Sequence, residues 1–347
     1  MEKGRDARAV PTRTTGPEST RLIGFLLVPQ FSMIAFTSAI EPLRLANRAA
    51  GKPLYAWRLF SPDGGPLRAS NGVEITVDGA YADARDVDAG IVCAGLDVQK
   101  FEHRNLMAIL RRLSSFGAAI GAVCTGTYVL AKAGLLDGYQ STIHWENYSG
   151  LLSEFPHLDV TQELFEIDRK RFTCAGGTAA IDMMLSVIMR DHGHELASQV
   201  TDQLIHHRIR EATERQRMDL RTRLGIAHPK VLAVVALMEQ HIEEPLSCPD
   251  LAGRTGLSTR QLERLFSKYL GHSPTKHYLS VRLERARYLL QQTSMPIISV
   301  GMSCGFVSAS HFSKSYKEHF GRTPSAERKG ERLLAGAQEA LPSADAA

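Results

Sequence analysis

Residues 118–126 read AAIGAVCTG: an apolar run, then Cys124, then a turn of small residues. An apolar run without polar interruption suits a strand buried on both faces. The stretch that follows, TGTYVLAKAGLL (125–136), has helical spacing. A cysteine held on a glycine-flanked turn between a buried strand and a helix has the geometry by which many hydrolases present a nucleophile. Whether Cys124 acts as one depends on its neighbours, because a thiol needs a base or a nearby positive charge to form its thiolate.

Outward from this elbow, strands alternate with helices. LIGFLLV (22–28), YAWRLFS (55–61), GVEITV (72–77) and AGIVCAG (89–95) read as strands, and ELFEIDRKRFTCAGG (163–177) as a hairpin. AFTSAIEPLRLANRA (35–49), RNLMAILRRLSSF (104–116) and TAAIDMMLSVIMRDH (178–192) read as helices. Such alternation predicts an α/β N-terminal domain, a mostly parallel sheet covered by helices, with ligands at the carboxyl ends of the strands. Cys124 stands at such an end.

Hydrophobic residues make up 44% of the 347-residue chain and charged residues 22%, proportions that suit a soluble protein with two cores. No apolar run approaches the roughly 20 residues that span a bilayer, so no membrane partner is expected. Residues 1–20 lack the apolar core of a secretory signal; they and residues 331–347 are expected to be disordered tails. The five cysteines are scattered, with no C-x-x-C pair. That argues against a disulfide framework or structural zinc and for a reducing cytoplasm. Asp191, His192, His194 and Glu195 sit at a helix end with no partner motif, so they read as surface groups, and no metal or cofactor is expected. Residues 208–225, RIREATERQRMDLRTRLG, mix Arg with Glu and Asp and read as an exposed helix and linker.

The net charge of +4 is unevenly spread. Residues 230–330 hold 14 Lys/Arg against 8 Asp/Glu, whereas the rest of the chain holds 27 against 29. One segment carries the whole positive excess, as contact with a polyanion requires. The same segment contains a repeat: STRQLERLFSKYLGHSP (258–274) aligns without gaps on SASHFSKSYKEHFGRTP (308–324). Each copy opens with a serine able to cap a helix and closes with Gly-x-Ser/Thr-Pro. Short helices with a terminal glycine, CPDLAGRTGL (248–257) and MPIISVGMSCGF (295–306), precede them. Helix, glycine turn and serine-capped second helix make a helix-turn-helix unit, present twice in an all-α C-terminal domain. TKHYLSVRLERARYLLQQ (275–292) between them keeps Leu279, Leu283, Ala286 and Leu290 on one face. Its roughly 27 Å length suits recognition helices in successive major-groove segments, about 34–36 Å apart.

Residues 230–330 resemble the DNA-binding domain of AraC/XylS-type transcription regulators, through LAGRTGLSTRQLERLF, ISVGMSCGF and HFGRTPSAER. The family's usual Tyr is replaced by Glu327, beyond the last motif helix, where the change is expected to matter little. The resemblance implies that Ser258, Thr259, Arg260, Gln261, Glu263 and Arg264 of the first recognition helix read duplex DNA. The second would use Ser308, Ser310, His311, Ser313 and Lys314 and contribute more affinity than specificity. Arg suits guanine and Gln adenine, while Ser and Lys also suit phosphate.

The elbow, with AVCTG, STIHW and FTCAGGTAAID, resembles PfpI-like members of the class I glutamine amidotransferase superfamily over residues 21–195. SAIEPLRLANR, SPDGG and CAGGTAAIDMML are most similar to regulators of glycine betaine and related amino-acid catabolism. PfpI-like hydrolases commonly place His directly after the cysteine, where this chain has Thr125, and an acid in the loop after the first strand. That loop, PQFSMIAFTSA, has none before Glu41. No catalytic residue is therefore assigned, and a small-molecule effector is expected in the crevice instead, near Phe31, Glu41, Cys124, Thr125, His144 and Trp145. Backbone N–H groups after Cys124 would take a carboxylate. Trp145 either faces a methylated ammonium through cation–π attraction or packs in the core. The expectation is a cytoplasmic, ligand-responsive transcription activator: a sensing and dimerisation domain over 21–207, a linker over 208–229 and a DNA-binding domain over 230–330. RNA polymerase and a second copy of the chain are its expected protein partners. The rival is a PfpI-like cysteine hydrolase or lyase tethered to DNA.

Overall fold

The structure, a computed structural model, describes residues 19–293 and 295–329. The expected tails lie outside the described residues, apart from Ser19 and Thr20. The chain divides into two compact units between Arg217 and Met218.

The first unit contains strands β1 (Arg21–Leu27), β2 (Tyr55–Ser61), β3 (Leu67–Arg68), β4 (Glu74–Ile75), β5 (Gly79–Ala80), β6 (Ala89–Cys93), β7 (Ala119–Val123), β8 (Gln140–Thr142), β9 (Asp159–Thr161), β10 (Phe165–Asp168) and β11 (Arg171–Cys174). Its helices are α1 (Met33–Ala50), α2 (Arg104–Ser115), α3 (Gly126–Lys132), α4 (Tyr148–Glu154), α5 (Ala179–His192) and α6 (His194–Gln203). Seven strands form the main sheet in the order β10-β11-β7-β6-β1-β2-β5, parallel except for the β10–β11 hairpin at one edge. Alternate residues of a strand point to opposite faces, so β1 feeds two cores. Ile23, Phe25 and Leu27 join the cluster that α1, α5 and α6 cover, and Leu26 joins the one under α2, α3 and α4. Burial on both faces explains the uninterrupted apolar runs. The run GVEITV forms only the short β4, paired with β3 outside the main sheet. Gly72 at φ 86° and the half-exposed Val73 keep it from extending.

Residues 208–217 are not the exposed helix that their charge pattern suggests. They form an irregular strap tied to the first unit at several points. Arg210 reaches the fully buried Asp182 at 2.6 Å, and the Leu164 N–H donates to the Ala212 carbonyl at 2.9 Å. Gln216 Nε2 donates to Thr142 Oγ1, the Ile143 carbonyl and the Glu163 carbonyl at 2.9–3.0 Å. A buried carboxylate demands a partner, and Asp182 recruits the strap's arginine for that reason. Helix appears only beyond it, at α7.

The second unit is helical: α7 (Leu220–Leu224), α8 (Pro229–Gln240), α9 (Cys248–Arg254), α10 (Thr259–Leu270), α11 (Pro274–Gln292), α12 (Ile297–Ser303), α13 (Ala309–Phe320) and α14 (Pro324–Lys329). One core holds Val234, Leu251, Leu262 and Phe266; the other holds Leu283, Ala286, Val300, Phe312 and Tyr316. Helix α11 runs between the two helix-turn-helix units with Leu283, Ala286 and Leu290 buried. Glu327 is buried despite its place beyond the last motif helix. Its carboxylate is almost fully buried, with Arg322 at 2.8 Å, Gln291 Nε2 at 2.5 Å and Arg287 at 3.4 Å. No helix among the described residues is long and apolar enough to cross a membrane.

Candidate functional site

Strand β7 ends at Val123, and Cys124 takes φ 59°, a left-handed conformation that costs a side-chain-bearing residue strain. Neighbouring glycines make the elbow possible. A Cβ on Gly176 would lie 2.6 Å from Cys124 Cβ, and one on Gly126 would lie 2.4 Å from the Val92 carbonyl oxygen. The Cys124 N–H donates to the Cys174 carbonyl at 3.1 Å, pinning the turn to β11. Thr125 is buried, its hydroxyl donating to the Gly95 carbonyl at 2.7 Å. Phe31 bridges to Gly95 through its backbone, and its fully buried ring meets Phe36 edge-on at 5.7 Å. Phe31 and Thr125 therefore build the walls of the elbow.

Burial holds the thiol in its protonated form. Burial pushes Cys124 up to about 12, the charge of Glu146 adds to the rise, and a hydrogen bond from the Thr125 backbone only partly opposes it. Burial lowers His144 to about 4, so its imidazole is neutral at pH 7. Its Nδ1 lies 3.8 Å from the Glu146 carboxylate. A neutral histidine beside an acid supplies no positive charge to draw out a thiolate. Glu41 stands on the third turn of α1 with its carboxylate held by Arg44 at 2.7 Å.

Trp145 is half-buried, and its ring carries the guanidinium of Arg217, 4.3 Å from the centroid. Burial raises the Glu146 carboxyl and Arg217 draws it back down. Arg217 escapes a reading of local motifs, since it lies 72 residues beyond Trp145 in a stretch that looks merely solvated. A cavity of about 650 Å³ lies elsewhere in the first unit, lined by Phe165, Met189, His194, Thr201, Arg208 and Arg210.

In the second unit both recognition helices are held from behind. Helix α10 buries Leu262 and Phe266, and α13 buries Phe312 and Tyr316. Ser258, Thr259, Arg260, Gln261, Glu263 and Arg264 are exposed on α10 or its cap, as are Ser308, Ser310, His311 and Lys314 on α13; Ser313 is half-buried. Ser258 and Gln261 also close a capping box: the Gln261 N–H donates to Ser258 Oγ at 3.2 Å, and the Ser258 N–H to Gln261 Oε1 at 2.9 Å. Lys314 lies 3.9 Å from Glu318, one turn on.

The repeat extends to a pair of cations. Lys230 of α8 donates to the Thr255 and Gly256 carbonyls at 2.6 and 3.1 Å. Arg282 of α11 donates to the Cys304 and Gly305 carbonyls at 2.8 and 2.7 Å. Each satisfies the orphan carbonyls where the first helix of its unit ends. The two turns differ by one residue. Leu257 alone separates Gly256 from Ser258, whereas Phe306 and the fully exposed Val307 separate Gly305 from Ser308.

A sheet ending in such an elbow, followed by paired helix-turn-helix units, defines a DNA-binding regulator with an α/β first domain. Comparison with known proteins agrees. Residues 23–190 match the DJ-1/PfpI family, and residues 251–330 match a helix-turn-helix domain. The HTH-type transcriptional regulator GbdR of Pseudomonas aeruginosa is 47% identical over 94% of this chain and 88% of its own. A crystal structure of an AraC family transcriptional regulator from Pseudomonas putida superposes with a TM-score of 0.50 at 29% identity, covering 53% of this chain and 99% of that one. The isonitrile hydratase of Pseudomonas putida is 30% identical over 52% of this chain and 77% of its own. The chain belongs to the AraC-type HTH transcription regulators that carry a DJ-1/PfpI domain.

Proposed function

We propose that the first unit senses a small effector at the Cys124 elbow and that the protein activates transcription in response. The observation that carries this reading is the disarmed elbow: a strained nucleophile turn whose thiol is neutral at pH 7 and feels the charge of Glu146, on the same short segment as the neutral His144 and the Trp145 face. Such a site binds rather than reacts. The effector is glycine betaine or a related quaternary amine or amino acid. Support comes from the sequence likeness to regulators of that catabolism and from the fit of an aromatic face to an alkylated ammonium. Cys124, Thr125, His144, Trp145 and Phe31 frame the site, while Glu41, already paired with Arg44, contributes least.

In the second unit, Arg260, Glu263 and Arg264 face base edges, with Ser258, Thr259 and Gln261 at the helix entry. Ser308, Ser310, His311, Ser313 and Lys314 anchor the second helix on DNA. The protein works in the cytoplasm as a homodimer that engages RNA polymerase. A second reading, a cysteine hydrolase or lyase, is favoured by one observation, the elbow retained at φ 59°.

A thermal-melting screen of the purified protein against betaines, carnitine, choline and amino acids separates the two. A compound at about 100 times its dissociation constant adds about 2.7 kcal/mol to stability. Recovered unchanged, it identifies an effector. Consumed by the wild type and not by Cys124→Ser, it identifies a substrate and overturns the sensor reading.

A further inference from the structure

The Trp145 face, where a ligand's ammonium is expected, already carries a cation from the chain itself. Arg217 lies 4.3 Å from the ring centroid, and Glu146, the next residue after Trp145, feels its charge. The strap delivers the guanidinium there. Gln216 is held by Thr142, Ile143 and Glu163; Arg215 bridges to Glu163, and the Ala212 and Glu214 carbonyls accept from the Leu164 N–H. Arg217 follows these anchors directly, and its side chain reaches back to the ring. Arg217 is also the last residue of the first unit.

We propose that Arg217 is a resident stand-in for the effector's cation: Trp145 and Glu146 form a quaternary-ammonium subsite, and an effector binds by displacing Arg217. The inference rests on the sensor reading above. The exchange is chemically lopsided. A guanidinium carries five N–H donors that water solvates well, whereas a trimethylammonium group has no donor to desolvate when it arrives. An aromatic face beside a carboxylate suits the second ion as well as the first. Displacement frees the residue that immediately precedes Met218, so occupancy of the subsite is passed along the main chain into the segment entering the DNA-binding unit. A competitor built into the protein also lowers apparent affinity by the fraction of molecules in which the subsite is blocked.

The test titrates the full-length protein with tetramethylammonium chloride by calorimetry, against sodium chloride of matched strength. Arg217→Gln is expected to bind the ion about tenfold more tightly than the wild type, the scale of one cation–π contact. Arg217→Lys, which keeps a charge, falls between them, and Glu146→Gln weakens binding in either background. Tetramethylammonium also accelerates tryptic cleavage after Arg217 in the wild type, and sodium chloride does not. Equal or weaker binding by Arg217→Gln overturns the inference, as does protection of that bond by the ion. A compound from the melting screen that stabilises the wild type and Arg217→Gln equally leaves the sensor reading standing and removes the stand-in. If neither tetramethylammonium nor any screened compound shifts either protein, both fall.

Discussion

At the scale of single residues, the first unit is governed by what burial does to ionisation. With Cys124 raised to about 12, its thiolate is a minute fraction at pH 8. Native protein treated with iodoacetamide at that pH is expected to label at Cys248, the half-exposed cysteine, and to spare Cys124 until denaturant is added. Peptide mass spectrometry reads the difference; prompt labelling of Cys124 in the native state would restore it as a nucleophile. His144 gives a pH dependence of definite sign. Its folded value near 4 lies below the ordinary 6.5, so the unfolded chain binds the proton more readily between them. The stabilisation it affords is complete above about 6.5 and is lost as pH falls towards 4. The ring retains about three-tenths of its exposure, which limits the loss to about 1 kcal/mol between pH 7 and 5. Urea unfolding of the first unit at both pH values is expected to show a smaller loss in His144→Asn than in the wild type. His277, also lowered to about 4, imposes the same trend on the second unit.

At the scale of elements, each recognition helix separates what holds it from what it offers DNA. Arg264 projects from the exposed face of α10, whereas Arg282 holds the end of α12 and stacks on Phe306 at 4.3 Å. Arg264→Ala is therefore expected to leave melting unchanged while costing about 1–3 kcal/mol at one base position, or about one unit of salt slope if the contact is to phosphate. Arg282→Ala is expected to lower both the melting temperature and DNA affinity, since it leaves two carbonyls without their partner. Parallel melting and gel-shift measurements distinguish these outcomes. These helices were legible because their signals are local. Ser258 and Ser308 cap, Gly271 and Gly321 stop, and the apolar residues between them keep helical spacing. Lys230 and Arg282 were not legible, because each acts on carbonyls more than twenty residues away.

For the whole molecule, the positive excess lies in the segment that binds DNA, while the remainder of the chain is slightly acidic. Affinity for duplex of any sequence is expected to fall with a log–log salt slope of about −0.9 per phosphate neutralised, and Lys314→Ala to flatten it by about one phosphate. A slope unchanged by that substitution would remove Lys314 from the interface. The two-domain order and the elbow could be read along the chain, since apolar runs and glycine turns are local. The strap could not. Its alternation of Arg and Glu is that of a solvated helix, and only folding brings Asp182, Glu163 and Trp145 to meet it. Glu327 shows the same limit, a surface-looking acid that folding buries among Arg287, Arg322 and Gln291. The extra residue in the second turn, with Val307 fully bare, makes the two reading heads unlike. A protomer with unlike heads has a front and a back on the double helix. The half-site of one protomer is therefore expected to be directional, weaker for that protomer when its bases are inverted.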